Sequence, residues 1–222
     1  MDNLSITDPQ MVSILALCKQ EVPGFEIRFK DESKLMKLIS PFAGIFNKTF
    51  MTEYTTTLGT AVYVPTEQWL LKDQPGNVGV LAHELVHLKE RARRGTTAYT
   101  LSYIFPQILA LLSPLAMLAP LSACFLLSLC FLICLAPIPS VGRRNIELNG
   151  YTMSMAVGYW RTGVISDADI DWAAAQFTGP AYYFMWPWEE DVLHELRLRA
   201  IKIRTGQVLA DHVFQKVYEI VK

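Results

Sequence analysis

His83, Glu84 and His87 stand in an H-E-x-x-H arrangement, His83-Glu84-Leu85-Val86-His87. On a helix, positions four apart share one face, so both imidazoles reach toward a single point. Two imidazoles aimed at one point suit a borderline-soft divalent cation, zinc first among them. Glu84 then lies beside that ion, placed to accept a proton from a water held by the metal. The chemistry this spacing predicts is metal-assisted hydrolysis.

A catalytic zinc ordinarily takes three protein ligands and keeps a further position for water. The third donor must come from elsewhere in the chain. Glu147, Glu90, His194, Glu195 and His212 are the candidates. Glu147 is preferred because it opens the first helical segment after a long apolar stretch. Tyr151 follows it by one helical turn, placed to hydrogen-bond a ligand or face a substrate. Glu90 falls three residues after His87, within a charged turn that reads equally as a solvated helix end. His194 is a candidate for stabilising the oxyanion of a tetrahedral intermediate. Arg197 and Arg199 are alternatives for that role, and His212 reads as structural.

The elements that would position these groups follow from patterning. Residues 77–94 carry Val78, Leu81, Leu85 and Leu88 on one face and His83, His87 and Glu90 on another, as an amphipathic helix does. Asp73, Pro75 and Gly76 form its expected start. Residues 5–20 and 32–47 read as helices, the second broken at Pro41, and residues 25–30 alternate as a strand. Residues 50–64 are rich in Thr, Tyr and Val and read as a bent strand or hairpin turning at Gly59. Its threonines either face solvent or offer an edge for pairing with an extended peptide. Residues 143–160, 167–177, 189–204 and 207–221 read as helices. The aromatic run Tyr182-Tyr183-Phe184-Met185-Trp186-Pro187-Trp188 lines a pocket, meets a membrane interface or forms a core corner.

The second strong feature is compositional. Between Arg94 and Arg143 the sequence has no Asp, Glu, Lys or Arg. Residues 98–140 are long enough for two membrane spans, 99–118 and 121–137, turning around Ala119-Pro120. Lys89, Arg91, Arg93 and Arg94 precede them, and Arg143 and Arg144 follow. The positive-inside rule then puts both ends of the chain in the cytoplasm. A hairpin returns the chain to the side it left, so residues before and after it can share one site. The alternative is an apolar helical pair buried in a core or an oligomer interface.

Bulk properties set the remaining bounds. Hydrophobic residues make up 51% of the 222 residues and charged residues 18%. The net charge of −1 gives no basic field for nucleic acid. Cys18, Cys124, Cys130 and Cys134 include no C-x-x-C pair, so they read as apolar fillers in a reducing compartment. The N-terminal region, with Asp2, Asp8 and only a short apolar run, is not expected to be a signal peptide.

Taken together, Ala61-Val62-Tyr63-Val64-Pro65, the short helix after it and Val78-Gly79-Val80-Leu81-Ala82-His83-Glu84-Leu85-Val86-His87 resemble gluzincin metallopeptidases. The nearest look-alikes are the HtpX-like and CAAX prenyl protease-like membrane metalloproteases. In those families membrane spans separate the H-E-x-x-H helix from the helix bearing a glutamate ligand, as the hairpin does here. The resemblance covers roughly residues 50 to 155. It implies His83, His87 and Glu147 as zinc ligands, Glu84 as general base, a peptide or protein substrate and a lipid membrane as partner. Where the family often reads E-x-x-A-D, this chain has Glu147-Leu148-Asn149-Gly150-Tyr151, nearer the E-x-x-A-Y of other zinc-peptidase-like proteins. The family's additional spans before the active site have no counterpart.

The expected architecture is therefore an α+β, zincin-like metallopeptidase domain, mostly helical with a small sheet and interrupted by a hydrophobic transmembrane hairpin. Residues 1–97 carry the active-site helix, 98–140 the hairpin and 141–222 the third ligand. A catalytically silent, membrane-anchored zincin-like protein that binds a partner is the alternative function.

Overall fold

A computed structural model describes residues 5–180 and 184–222, with the backbone alone of Phe42, Ile45 and Phe46. The chain is mostly helical with one small sheet, an α+β arrangement. In order it forms α1 (Pro9–Glu21), β1 (Glu26–Phe29), α2 (Lys34–Phe46), β2 (Thr56–Leu58), β3 (Ala61–Val64) and α3 (Glu67–Lys72). Then come α4 (Gln74–Arg94), α5 (Thr96–Ile104), two 3-10 segments (Gln107–Leu118 and Ala123–Leu135) and α6 (Val141–Thr162). The chain closes with α7 (Asp167–Thr178), α8 (Glu189–Arg204), a short 3-10 turn and α9 (His212–Val221).

The two long helices that matter for chemistry, α4 and α6, pack directly on each other. Each has a built start. Asp73 caps α4 by accepting from the Gly76 amide at 3.0 Å, as its sequence predicts. Ser140 caps α6 through the Arg143 amide, and Gly163 ends α6 in the left-handed conformation. Between them Val78, Leu81, Leu85, Leu148, Met153 and Val157 are buried in one core shared with α1, α7, α8 and α9. The chain before the hairpin and the chain after it thus contribute to a single core.

The sheet has the order β1-β3-β2. β1 runs parallel to β3, with Ile27 opposite Val62, and β2 runs antiparallel, with Thr57 opposite Val62. Gly59 makes the tight turn between β2 and β3 at φ +68°, a conformation that disfavours a side chain. The strand character expected over 50–64 is confined to 56–58 and 61–64. β3, in the middle, is buried on all four residues, and β2 leaves one free edge.

Two expectations need correction. Pro41 does not break α2, which runs through it. The Lys37 carbonyl, which a proline amide cannot serve, accepts instead from the Ser40 hydroxyl at 3.0 Å. The apolar stretch does not form two straight spans either. Among the described residues no single helix is long and apolar enough to cross a membrane. α5 and the first 3-10 segment pass the length and composition test only together, across a bend of 86° at Phe105-Pro106. The second segment has 13 residues. The turn does fall at Ala119-Pro120 as expected, and the two 3-10 segments pack along each other, tied by the Ser128 hydroxyl donating to the Ser113 carbonyl at 3.2 Å.

Candidate metal centre

α4 presents His83 and His87 one turn apart on its inner face, and α6 lays Glu147 against them. The Glu147 Oε2 atom stands 3.6 Å from Nε2 of His83 and 3.6 Å from Nε2 of His87. All three donor atoms lie within 4.8 Å of one another, and all three residues are buried. Donors around a tetrahedral zinc, each at ~2.05 Å, stand about 3.4 Å apart. The observed separations therefore suit one small divalent ion between the three side chains. The fit is supported by a buried orphan: Glu147 Oε2 has no hydrogen-bond donor although it is shielded from water.

The three side chains are electrostatically coupled. Burial works against the carboxylate of Glu147, yet His87 and His83 outweigh it and hold Glu147 well below the usual carboxylate range. Burial likewise works against a charged His87, but Glu147, with Glu84 and Glu90 behind it, shifts the balance and raises its pKa. Three carboxylates thus bear on one imidazole.

Two of the three side chains are held from behind, His83 and Glu147, while the buried Nδ1 of His87 has no hydrogen-bond partner among the described residues. His83 Nδ1 lies 3.0 Å from the Ser154 hydroxyl, which in turn donates to the Gly150 carbonyl. Were Nε2 to bind an ion, Nδ1 would carry the proton and donate to Ser154. Tyr151 sets its ring edge-on to His83, centroids 5.0 Å apart, and is backed by Phe177 and Trp172. It therefore supports His83 by ring packing, a contact its spacing did not specify. The Glu147 Oε1 atom accepts from the Tyr103 hydroxyl at 2.8 Å. At Gly150 the backbone of α6 passes close to the His83 ring. A β-carbon there would fall on the His83 ring, 2.6 Å from Cε1 and nearer still to Nε2. In this packing, position 150 leaves no room for a side chain unless the His83 ring moves.

Glu84 is buried on α4 and turned toward the sheet. Its two carboxylate oxygens accept from Thr55 at 2.5 Å and from Thr57 at 2.6 Å. Thr55 and Thr57 thus face the proposed base, a role that neither of the two sequence readings, peptide pairing or solvent exposure, gave them. Lys30 is fully buried, donates to the Phe50 carbonyl at 2.7 Å, and sits 3.8 Å over the Phe50 ring. Its burial pulls the ammonium down to about 8, against the attraction of Glu84.

The other candidates lie elsewhere. Glu90 pairs with Arg94 and accepts from the Asn149 amide at 3.3 Å. Arg199 holds the other side of Asn149, at 3.0 Å, together with the Thr152 hydroxyl at 2.8 Å. This Glu90–Asn149–Arg199 chain fixes the rotation of α6 between α4 and α8, so both residues brace the site from behind. His194 is exposed on α8 and makes none of the contacts of the cluster, as is Arg197. Glu195 acts on Arg199 at a distance. His212 is exposed and meets Glu21 at 3.1 Å. Of the aromatic run, Tyr182 and Tyr183 lie outside the described residues. Trp186 meets Trp188 edge-to-face and donates to Asp191 beside Arg144, forming a corner between α6 and α8.

Tyr103, Ser154, Thr55 and Thr57 were not singled out by sequence. Ser154 had a signal, since it follows Glu147 by seven residues on the same helical face. Compared with family models, with curated proteins and with solved structures, the chain has no match.

Proposed function

We propose that this protein is a membrane-associated, zinc-dependent metallopeptidase of the gluzincin kind, resembling HtpX-like and CAAX prenyl protease-like enzymes. The observation that carries the reading is the convergence of His83, His87 and Glu147 on one point, with Glu84 next to a ligand in the same helix. His83 and His87 Nε2 and Glu147 Oε2 would hold the ion. When bound, zinc supplies Lewis-acid polarisation of a carbonyl and acidifies water. Glu84 takes the proton of the attacking water and returns it to the leaving amine. The Thr55 and Thr57 hydroxyls keep its carboxylate oriented, each using one lone pair of one oxygen and leaving another for that proton.

Membrane association is supported by the hairpin's surface. Leu111, Met117, Leu121, Leu127 and Ile133 are each at least 70% exposed, on a stretch without a charged side chain. So much exposed apolar surface needs lipid or a partner to cover it.

One observation favours a second reading, a metal-binding but catalytically silent zincin-like protein. Both oxygens of Glu84 are already engaged by hydroxyls. The deciding experiment uses the purified chain in detergent micelles, loaded with zinc, against a library of quenched peptides. Cleavage that disappears in Glu84→Gln while zinc stays bound supports the peptidase. Zinc binding without cleavage of any peptide, in the unmodified chain, supports the silent reading.

A further inference from the structure

The hairpin's first helix reaches the metal centre. Tyr103 on α5 donates its hydroxyl to Glu147 Oε1 at 2.8 Å. That leaves only Oε2 facing the two imidazoles. The tyrosine is itself fixed by α6. Arg143 Nε donates to the Tyr103 carbonyl at 3.0 Å, and its guanidinium lies 5.0 Å over the Tyr103 ring. Ser140 donates to the Phe105 carbonyl at 2.6 Å. Gly142 lies so close to the Ser102 carbonyl that a β-carbon could not fit between them. Tyr99, one turn earlier, stacks on Tyr103 with centroids 6.3 Å apart.

We propose that Tyr103 is a positioning residue of the metal centre that holds Glu147 as a one-oxygen ligand, making the root of the hairpin part of the site. The inference rests on the metal reading above and goes beyond it in assigning α5 a function. A carboxylate bound through both oxygens would take two coordination positions, whereas hydrolysis needs one kept for water. A hydrogen bond to the far oxygen resists that second contact and fixes the near oxygen's direction. Because Arg143, Ser140 and Gly142 set the height of α5 on α6, displacement of the hairpin root releases Glu147 as loss of the hydroxyl does.

The test compares the full chain with Tyr103→Phe in detergent, which keeps the ring and removes only the hydroxyl. Zinc affinity is read by competition with a chromophoric chelator, and coordination by the visible bands of the cobalt(II)-loaded protein. The expected result is a ten- to hundredfold loss of zinc affinity and weaker cobalt bands, as the freed oxygen adds a ligand. Gly142→Val, which lifts α5, should give the same change and add nothing in the Tyr103→Phe background. Affinity and cobalt bands unchanged in a folded Tyr103→Phe protein would overturn the role of Tyr103 alone. An unmodified chain that takes up neither ion would overturn the metal reading itself, and this role with it.

Discussion

Replacing Gly150 by alanine is the sharpest probe of the site, because two effects of one methyl group oppose each other. In the middle of a helix, alanine is ordinarily favoured over glycine by about 1 kcal/mol. Here the new carbon would lie 2.6 Å from His83 Cε1 and closer still to Nε2, where ordinary contact begins at 3.4 Å, so the ring must retreat by at least about 0.8 Å. Metal–ligand distances tolerate only about 0.2 Å. The ring cannot retreat so far and keep its bond to the ion, and its link to Ser154 is strained at the same time. Overpacking of this kind costs about 1–3 kcal/mol, partly offset by the helix propensity. The metal-free variant should therefore melt close to the unmodified protein, within about 2 kcal/mol. Its zinc affinity should fall at least ~100-fold, about 3 kcal/mol. Gly79→Ala is the control on the partner helix. There a β-carbon meets only Val157 Cγ1 at 3.7 Å, an ordinary contact. That variant should gain about 1 kcal/mol and bind zinc unchanged. Chelator competition and thermal melting with and without zinc measure both. Full zinc affinity in Gly150→Ala would refute the placement of His83 against α6 on which the site is built.

Groups around Glu84 give two further outcomes. Changing Thr55 and Thr57 together to valine keeps shape and removes both donors to the Glu84 carboxylate. Bonds to a charged group contribute ~1.5–3 kcal/mol each, so melting should drop while zinc affinity holds. If the peptidase reading is right, kcat should fall more than KM changes, and an unchanged kcat would count against the threonines as orienting groups. Lys30 gives a pH signature. Its folded value of about 8 lies below the ordinary 10.5, so between those limits the unfolded chain binds a proton that the folded chain does not. Stability should therefore rise with pH across that window, by no more than about 3 kcal/mol. Denaturant melts of the unmodified protein and of Lys30→Met, measured from pH 7.5 to 10.5, check this. A rise of the same size in both would assign it to other groups.

Much of the centre was legible because its parts obey local rules. Positions 83 and 87 share a face by helix geometry alone, and the cap at Asp73 and the turn at Gly59 follow from side-chain and backbone chemistry. Glu147 was reachable as the first carboxylate after the hairpin. What stayed hidden depends on contacts between elements distant in sequence. Thr55 and Thr57 lie nearly thirty residues from Glu84, and nothing in a Thr-rich strand says which face meets a carboxylate. Tyr103 sits in a stretch whose hydrophobicity suggests lipid and masks one buried hydroxyl. The need for glycine at position 150 comes from a ring on another helix. The hairpin was misjudged because hydropathy counts residues and not path. The proline at 106, lacking an amide, interrupts what composition reads as one span, and 3-10 winding sets the reach of residues 107–118. At Pro41 the opposite happened, since the Ser40 hydroxyl served the carbonyl that proline left.

The central claim is that two imidazoles and the Glu147 carboxylate hold one divalent ion. X-ray absorption at the zinc edge, on the full chain purified in detergent, tests it most directly. The account predicts about one zinc per chain, coordinated by two imidazole nitrogens and light oxygen donors at ~2.0–2.1 Å, with the oxygen shell reduced in Glu147→Ala. No bound zinc, or a shell unchanged when Glu147 is replaced, would contradict it.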